Sequence, residues 1–223
     1  MSDISKEDIK KLVITALQCV ATISSAAAVI NPVFGLAGSV IGIFLRSTDN
    51  EEINQLRSDF NKIHAGLERV SAETKNITMD IKKGATDSQY FKIEKAIIAQ
   101  YRALLALIEA DPKRRDEKKE QFEKKFMAEK GYQNMNTLYE GVIGKRKLFS
   151  EPILDVYLQY SRNNKEIMEG LCTSLTRLFC IGLISTMAYA ASIGDDEEGL
   201  KEKWTKRMEE VEKRMKEAVH QCQ

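Results

Sequence analysis

The chain has 223 residues, 34 of them basic and 33 acidic, for a net charge of +1. Such a balance generates no field to draw DNA, RNA or an anionic membrane over the whole surface, so nucleic acid is not an expected partner. Three prolines, twelve glycines and long runs of Lys, Glu, Ala, Leu and Met favour helix, and no Asn-Gly or Asp-Gly hairpin joins alternating apolar residues.

The N-terminal block, Ser5 to Leu45, holds 34 consecutive uncharged residues from Leu12 to Leu45 inside a chain that is 30% charged. Ser5 and Asp8 suit a helix start. Apolar residues then occupy every face, which marks a helix buried all round. Asn31-Pro32 interrupts it, because the residue before proline avoids the α region. The expected form is an apolar helical hairpin over 8–46 with its tip at Asn31, Pro32, Val33, Phe34 and Gly35. Gly38 and Gly42, in GxxxG spacing, are expected to let its arms pack closely. Leu12 to Ile30 would extend about 28 Å as helix, near the thickness of a bilayer core, but Leu36 to Leu45 only about 15 Å. Three readings stay open: a core hairpin, a conditional membrane insert and a constitutive span. A secretory signal fits poorly, since MSDISKEDIKK mixes Asp3, Glu7 and Asp8 with its lysines.

From Asp49 the pattern changes. Ile53, Leu56, Phe60, Ile63, Leu67, Val70, Thr74, Ile77 and Ile81 alternate steps of three and four. This heptad seam, broken only by Thr74, predicts a long helix that packs like a coiled coil and stops or kinks at Gly84. Tyr90, Ile93, Ile97, Tyr101, Leu104 and Ile108 form another stripe between Ser88 and Ala110. Asp111-Pro112 ends that helix and opens a charge-dense, solvated one with apolar points at Phe122 and Phe126, ending at Gly131. Ser150 is the expected start of a further helix and Asn163-Asn164 its end. Lys165 to Gly194 is a second apolar block, uncharged from Leu178 to Gly194, with Arg177 alone just before. Leu200, Trp204, Met208, Val211, Met215, Val219 and Cys222 make the last helix amphipathic. The expected fold is all-α: one domain over 1–223, an elongated bundle of long amphipathic helices with an apolar hairpin near the N-terminus. Its divisions are 8–46, 49–110, 111–164, 165–194 and 195–222.

Chemistry-bearing motifs are sparse. His64 and His220 lie among charged residues with no Cys or Ser partner at motif spacing, and read as surface histidines. Gly141-Val142-Ile143-Gly144-Lys145 lacks the GxxxxGK[ST] spacing of a phosphate loop and reads as a turn. Its GxxG, followed by Arg146-Lys147, lacks the context of an RNA-binding KH loop. The Asn76-Ile77-Thr78 sequon falls inside the seam helix. Cys19, Cys172, Cys180 and Cys222 show no CxxC spacing and read as reduced and mostly buried. No catalytic, cofactor or metal residues are expected, and no small-molecule substrate.

Four strings together, "ATISSAAAVINPVFGLAGSV", "QNMNTLYEGVIGK", "LFSEPILDVYLQY" and "LCTSLTRLFCIGLISTMAYAASIGDDEEGL", resemble the rapunzel family of fishes from about Asp8 onward. That family is similar to the cephalotoxin-like proteins, named for a cuttlefish salivary toxin. The resemblance implies descent from a toxin-like helical module and a developmental setting, and supplies no catalytic residues. The expected function is therefore a non-enzymatic helical protein, similar to α-pore-forming toxins, whose sheltered hairpin contacts or enters membranes. The alternative is a soluble intracellular adaptor or regulator in development or immunity, acting through helix-mediated protein contacts. Expected partners are membrane lipid, another protein or a second copy of the chain. The expected location is intracellular and cytoplasmic, with membrane association.

Overall fold

A computed structural model describes residues 50–84 and 88–222, and among them every regular element is helical. In chain order they are α1 (Asn50–Gly84), α2 (Gln89–Ile108), a short 3-10 turn (Pro112–Arg114), α3 (Arg115–Ala128), α4 (Gly131–Val142), α5 (Ile153–Ser161), α6 (Lys165–Ile193) and α7 (Glu197–His220). The apolar hairpin predicted over 8–46 lies outside the described residues, and with it Asn31, Pro32, Val33, Phe34, Gly35, Gly38, Gly42 and Cys19.

The protein is an all-α bundle built around α6, which packs against all six other helices. The sequence explains that position. From Leu178 to Ala190 every residue of α6 is buried, so this helix is apolar on all sides and needs neighbours on all sides. Its start is fixed by Asn164, whose side chain accepts from the Ile167 N–H at 3.0 Å. Its end is fixed by Gly194 at φ +72°, a left-handed conformation that glycine adopts without steric cost. Two residues later Asp196 accepts from the Gly199 N–H at 2.9 Å, and α7 turns back antiparallel along α6.

The remaining helices are amphipathic and each turns one stripe inward. Trp204, Met208, Val211 and Met215 do so for α7, and the Tyr90-to-Ile108 stripe for α2. Phe122 and Phe126 are fully buried although α3 is otherwise charged, and the Phe126 ring stacks on Tyr189 of α6 with centroids 4.3 Å apart.

Some boundaries differ from the sequence reading for local reasons. The charge-dense helix stops at Ala128, and the left-handed residue behind it is Lys130 (φ +54°). Gly131 does not end that helix; it begins α4, where a Cβ would run into the Phe126 ring. The helix assigned to start at Ser150 begins at Ile153, behind an extended Pro152 (ψ 150°). Asn163-Asn164 divide into two roles: Asn163 is left-handed (φ +63°) and Asn164 caps the next helix. The GVIGK stretch, read as a turn, begins inside α4: Gly141 and Val142 are that helix's last residues, and the turn starts at Ile143 with Gly144 at φ +82°.

Candidate functional site

The arrangement that can do something is the sheltered apolar helix α6 together with α1, the long helix laid along it. The two run antiparallel, since Ile77 reaches Gly170 while Leu67 lies beside Arg177. A Cβ on Gly170 would come within 2.7 Å of Cδ1 of Ile77, so glycine there lets α1 seat against α6. The seam residues Ile53, Leu56, Phe60, Ile63, Leu67, Val70 and Ile81 are buried, and Ile77 is half-buried against the core. Thr74 is buried in the same row; its hydroxyl donates to the Val70 carbonyl at 2.9 Å, which removes the cost of a polar group in an apolar seam.

Among the described residues α1 is held from fewer directions than the other long helices. Its principal described neighbour is α6, and it reaches α2 through scattered side chains such as Phe60 against Tyr101. Polar links to α6 and α2 add to the seam. Arg177 of α6 donates from Nε to the Leu67 carbonyl and from Nη2 to Glu68 Oε1, both at 2.8 Å. Arg57 of α1 donates from Nε to the Ile108 carbonyl at 2.6 Å and from Nη2 to the Ala110 carbonyl. This places a guanidinium at the negative end of the α2 dipole. The Tyr101 hydroxyl and His64 Nδ1 are 3.4 Å apart. His64, read from sequence as a surface residue, is therefore half-buried against α2, whereas His220 is exposed.

Apart from Arg177, α6 meets its neighbours almost wholly through apolar side chains. Its buried hydroxyls close on its own backbone: Thr176 on Cys172, Ser185 on Ile181 and Thr186 on Gly182, at 2.8–2.9 Å. It is also the one described helix long and apolar enough to cross a membrane, but two-thirds of its apolar window (67%) is buried within the bundle. Length and composition alone do not separate a core helix from a span.

Several further groups reach fixed positions without forming a reactive cluster. Arg207 lies between two rings, its Cζ 4.7 Å from the Tyr139 centroid and 4.9 Å from that of Trp204. The Tyr139 hydroxyl donates to Glu210, and burial together with that carboxylate pushes its pKa up to about 12. Burial also raises Tyr90 and Tyr157, whose hydroxyls are 3.4 Å apart. Among the described residues no group of three or more His, Cys, Asp or Glu side chains could hold a metal. An open depression on α7 is lined by Glu209, Glu212, Lys213, Lys216, Glu217 and His220, charges of both signs on one solvated face.

Arg57 and Arg177 carry no role in the sequence reading. The isolation of Arg177 at the edge of an uncharged run was the available signal, since a lone charge there must find a partner. Arg57 gave no signal, because its acceptors are carbonyls of another helix.

Residues 46–223 match the family described as the cephalotoxin-like middle helical domain. The chain is also 44% identical over 216 residues to the protein rapunzel of Danio rerio, covering 97% of this chain and 95% of that relative. No solved structure matches it.

Proposed function

The chain belongs to the cephalotoxin-like family, and from that premise we propose that it is a non-enzymatic helical protein whose uncharged N-terminal stretch contacts or enters membranes. In this reading α6 and its neighbours form the body, and α1 carries the uncharged stretch on its N-terminal side. The observation that supports it is the mounting of α1. The helix follows the Leu12-to-Leu45 stretch in sequence, and among the described residues it leans on the body chiefly through one face against α6. A helix held along one seam can lift off as a unit, exposing an apolar row and freeing whatever precedes it. The proposed likeness to α-pore-forming toxins rests on this pairing of an uncharged N-terminal stretch with a helical body.

Vesicle flotation and dye leakage test the proposal. The full chain is expected to float with vesicles and to release dye at some pH between acidic and neutral. Val33→Asp with Phe34→Asp is expected to abolish both while leaving the helical circular dichroism unchanged. If the full chain neither floats with neutral or anionic vesicles nor makes them leak, the membrane reading is wrong.

One observation favours a second reading, a soluble adaptor that works through helix-mediated protein contacts. The apolar block of α6 is enclosed by helices on every side, which is the behaviour of ordinary core. A defined protein partner in crosslinked cells, with none of the chain in the membrane fraction, would select this reading.

A further inference from the structure

We propose that Cys172 and Cys222 are an oxidisable thiol pair, closed to a disulfide by a low-molecular-weight disulfide such as oxidised glutathione, which staples the end of α7 to the start of α6.

The placement follows from the helix register. α6 and α7 are joined by Gly194–Asp196 and run antiparallel, so the first turns of α6 lie level with the last turns of α7. One contact fixes the level: the Thr176 hydroxyl is 3.7 Å from Met215 Sδ. Cys172 lies one turn before Thr176, on the same face of α6. Cys222 lies seven residues beyond Met215, just past the Gln221 cap of α7, and is buried like Met215. Side chains on a helix lean toward its N-terminus, which directs Cys172 down α6 toward the level of Cys222. The Cys222 sulfur is held there, 3.8 Å from Ser161 Oγ and 3.7 Å from the Ala218 carbonyl. Both cysteines are free and nearly enclosed, at 8% and 7% exposure. They are close enough for charge on Cys222 to oppose ionisation of Cys172, whose pKa burial pushes up to about 12.

These environments set an order of events. Cys172 stays a protonated thiol at neutral pH and is inert toward reagents from solvent. Cys222 follows the last turn of α7, where helix ends fray and open. Its thiolate attacks one sulfur of the oxidant, forms a mixed disulfide and expels the first small thiolate, which takes a proton. The Cys172 thiol then loses its proton to solvent, attacks the Cys222 sulfur and expels the second small thiol. Two protein thiols are oxidised to one disulfide, and one small disulfide is reduced to two small thiols.

The test is a peptide map of the full-length native chain, treated with oxidised glutathione, alkylated and digested without reduction. The expected product is a Cys172–Cys222 link. Closing a loop of roughly 50 residues should raise the Tm by roughly 10 °C, reversed by reductant. Cys172→Ser is expected to halt at a glutathionyl adduct on Cys222, and Cys222→Ser to give no adduct on Cys172 in the native state. A map with no such link, or with either cysteine joined to Cys19 or Cys180, overturns the proposal, as does an adduct on Cys172 in the Cys222→Ser chain. Should a serine variant fail to fold, the wild-type map decides by itself.

Discussion

α1 and α6 are the two longest described helices, at 35 and 29 residues, and they solve the burial problem in opposite ways. α6 is apolar around its whole circumference from Leu178 on, and is surrounded by α1, α2, α3, α4, α5 and α7. α1 is apolar along one row and charged elsewhere, and leans chiefly on α6. Among the described residues, stability conferred by packing therefore accumulates on α6 from every side, and on α1 from little more than one. A chain built this way has a part that must melt with the whole and a part that can open alone.

Phe179→Ala in α6 should cost the most, about 5 kcal/mol, because the fully buried ring leaves a cavity that the surrounding helices cannot fill. Equilibrium denaturation should show the loss across the whole helical signal.

Alkaline titration should come next. Cys172 is a thiol whose pKa rises in the fold from the ordinary 9.0 to about 12. Above pH 9 the unfolded chain releases this proton and the folded chain keeps it. Stability is thus intact below pH 9 and falls toward pH 12, by on the order of 4 kcal/mol from this one group. The buried hydroxyls of Tyr90, Tyr101 and Tyr157, all raised by burial, steepen the loss from about pH 10. A melting series from pH 8 to 12 measures it, and equal Tm values at both ends would contradict the burial of these groups.

Leu67→Ala in α1 removes a comparable fully buried side chain, yet the expected loss, about 3 kcal/mol, should be confined to the arm. Protease cleavage within α1 should accelerate while cleavage within α6 does not. If both helices become equally susceptible, the contrast between them fails.

Glu68→Ala is the smallest expected effect, below about 1 kcal/mol, since Glu68 is half exposed and its pair with Arg177 is screened. The Arg177 donation to the Leu67 carbonyl survives that change. Arg177→Ala should therefore loosen α1 more than Glu68→Ala does, as read by the same cleavage assay.

How much was legible in the sequence follows the same contrast. The α1 row from Ile53 to Ile81 could be read because its period is regular and its opposite face is charged. The limits of α6 could be read because charge vanishes at Leu178 and returns at Asp195. The identity of the neighbours could not, since an all-apolar helix carries no mark of which partner covers which face. The ends of the short helices were misjudged where two signals competed: Gly131 looks like a stop, but it is small because Phe126 lies against it. The polar links of the arm were invisible because the acceptors of Arg57, and one of those of Arg177, are backbone carbonyls, which every residue supplies. The stretch from Asn31 to Gly35, read from the sequence as a hairpin tip, lies outside the described residues.

Native-state hydrogen exchange across a denaturant series tests the central claim most directly, that α1 is an arm able to open while the body stays folded. The account predicts that α1 amides exchange through an opening of lower free energy and shallower denaturant dependence than α6 amides. α6 amides should exchange only through global unfolding. Exchange of both helices through one opening, with the same free energy and the same denaturant slope, would contradict it.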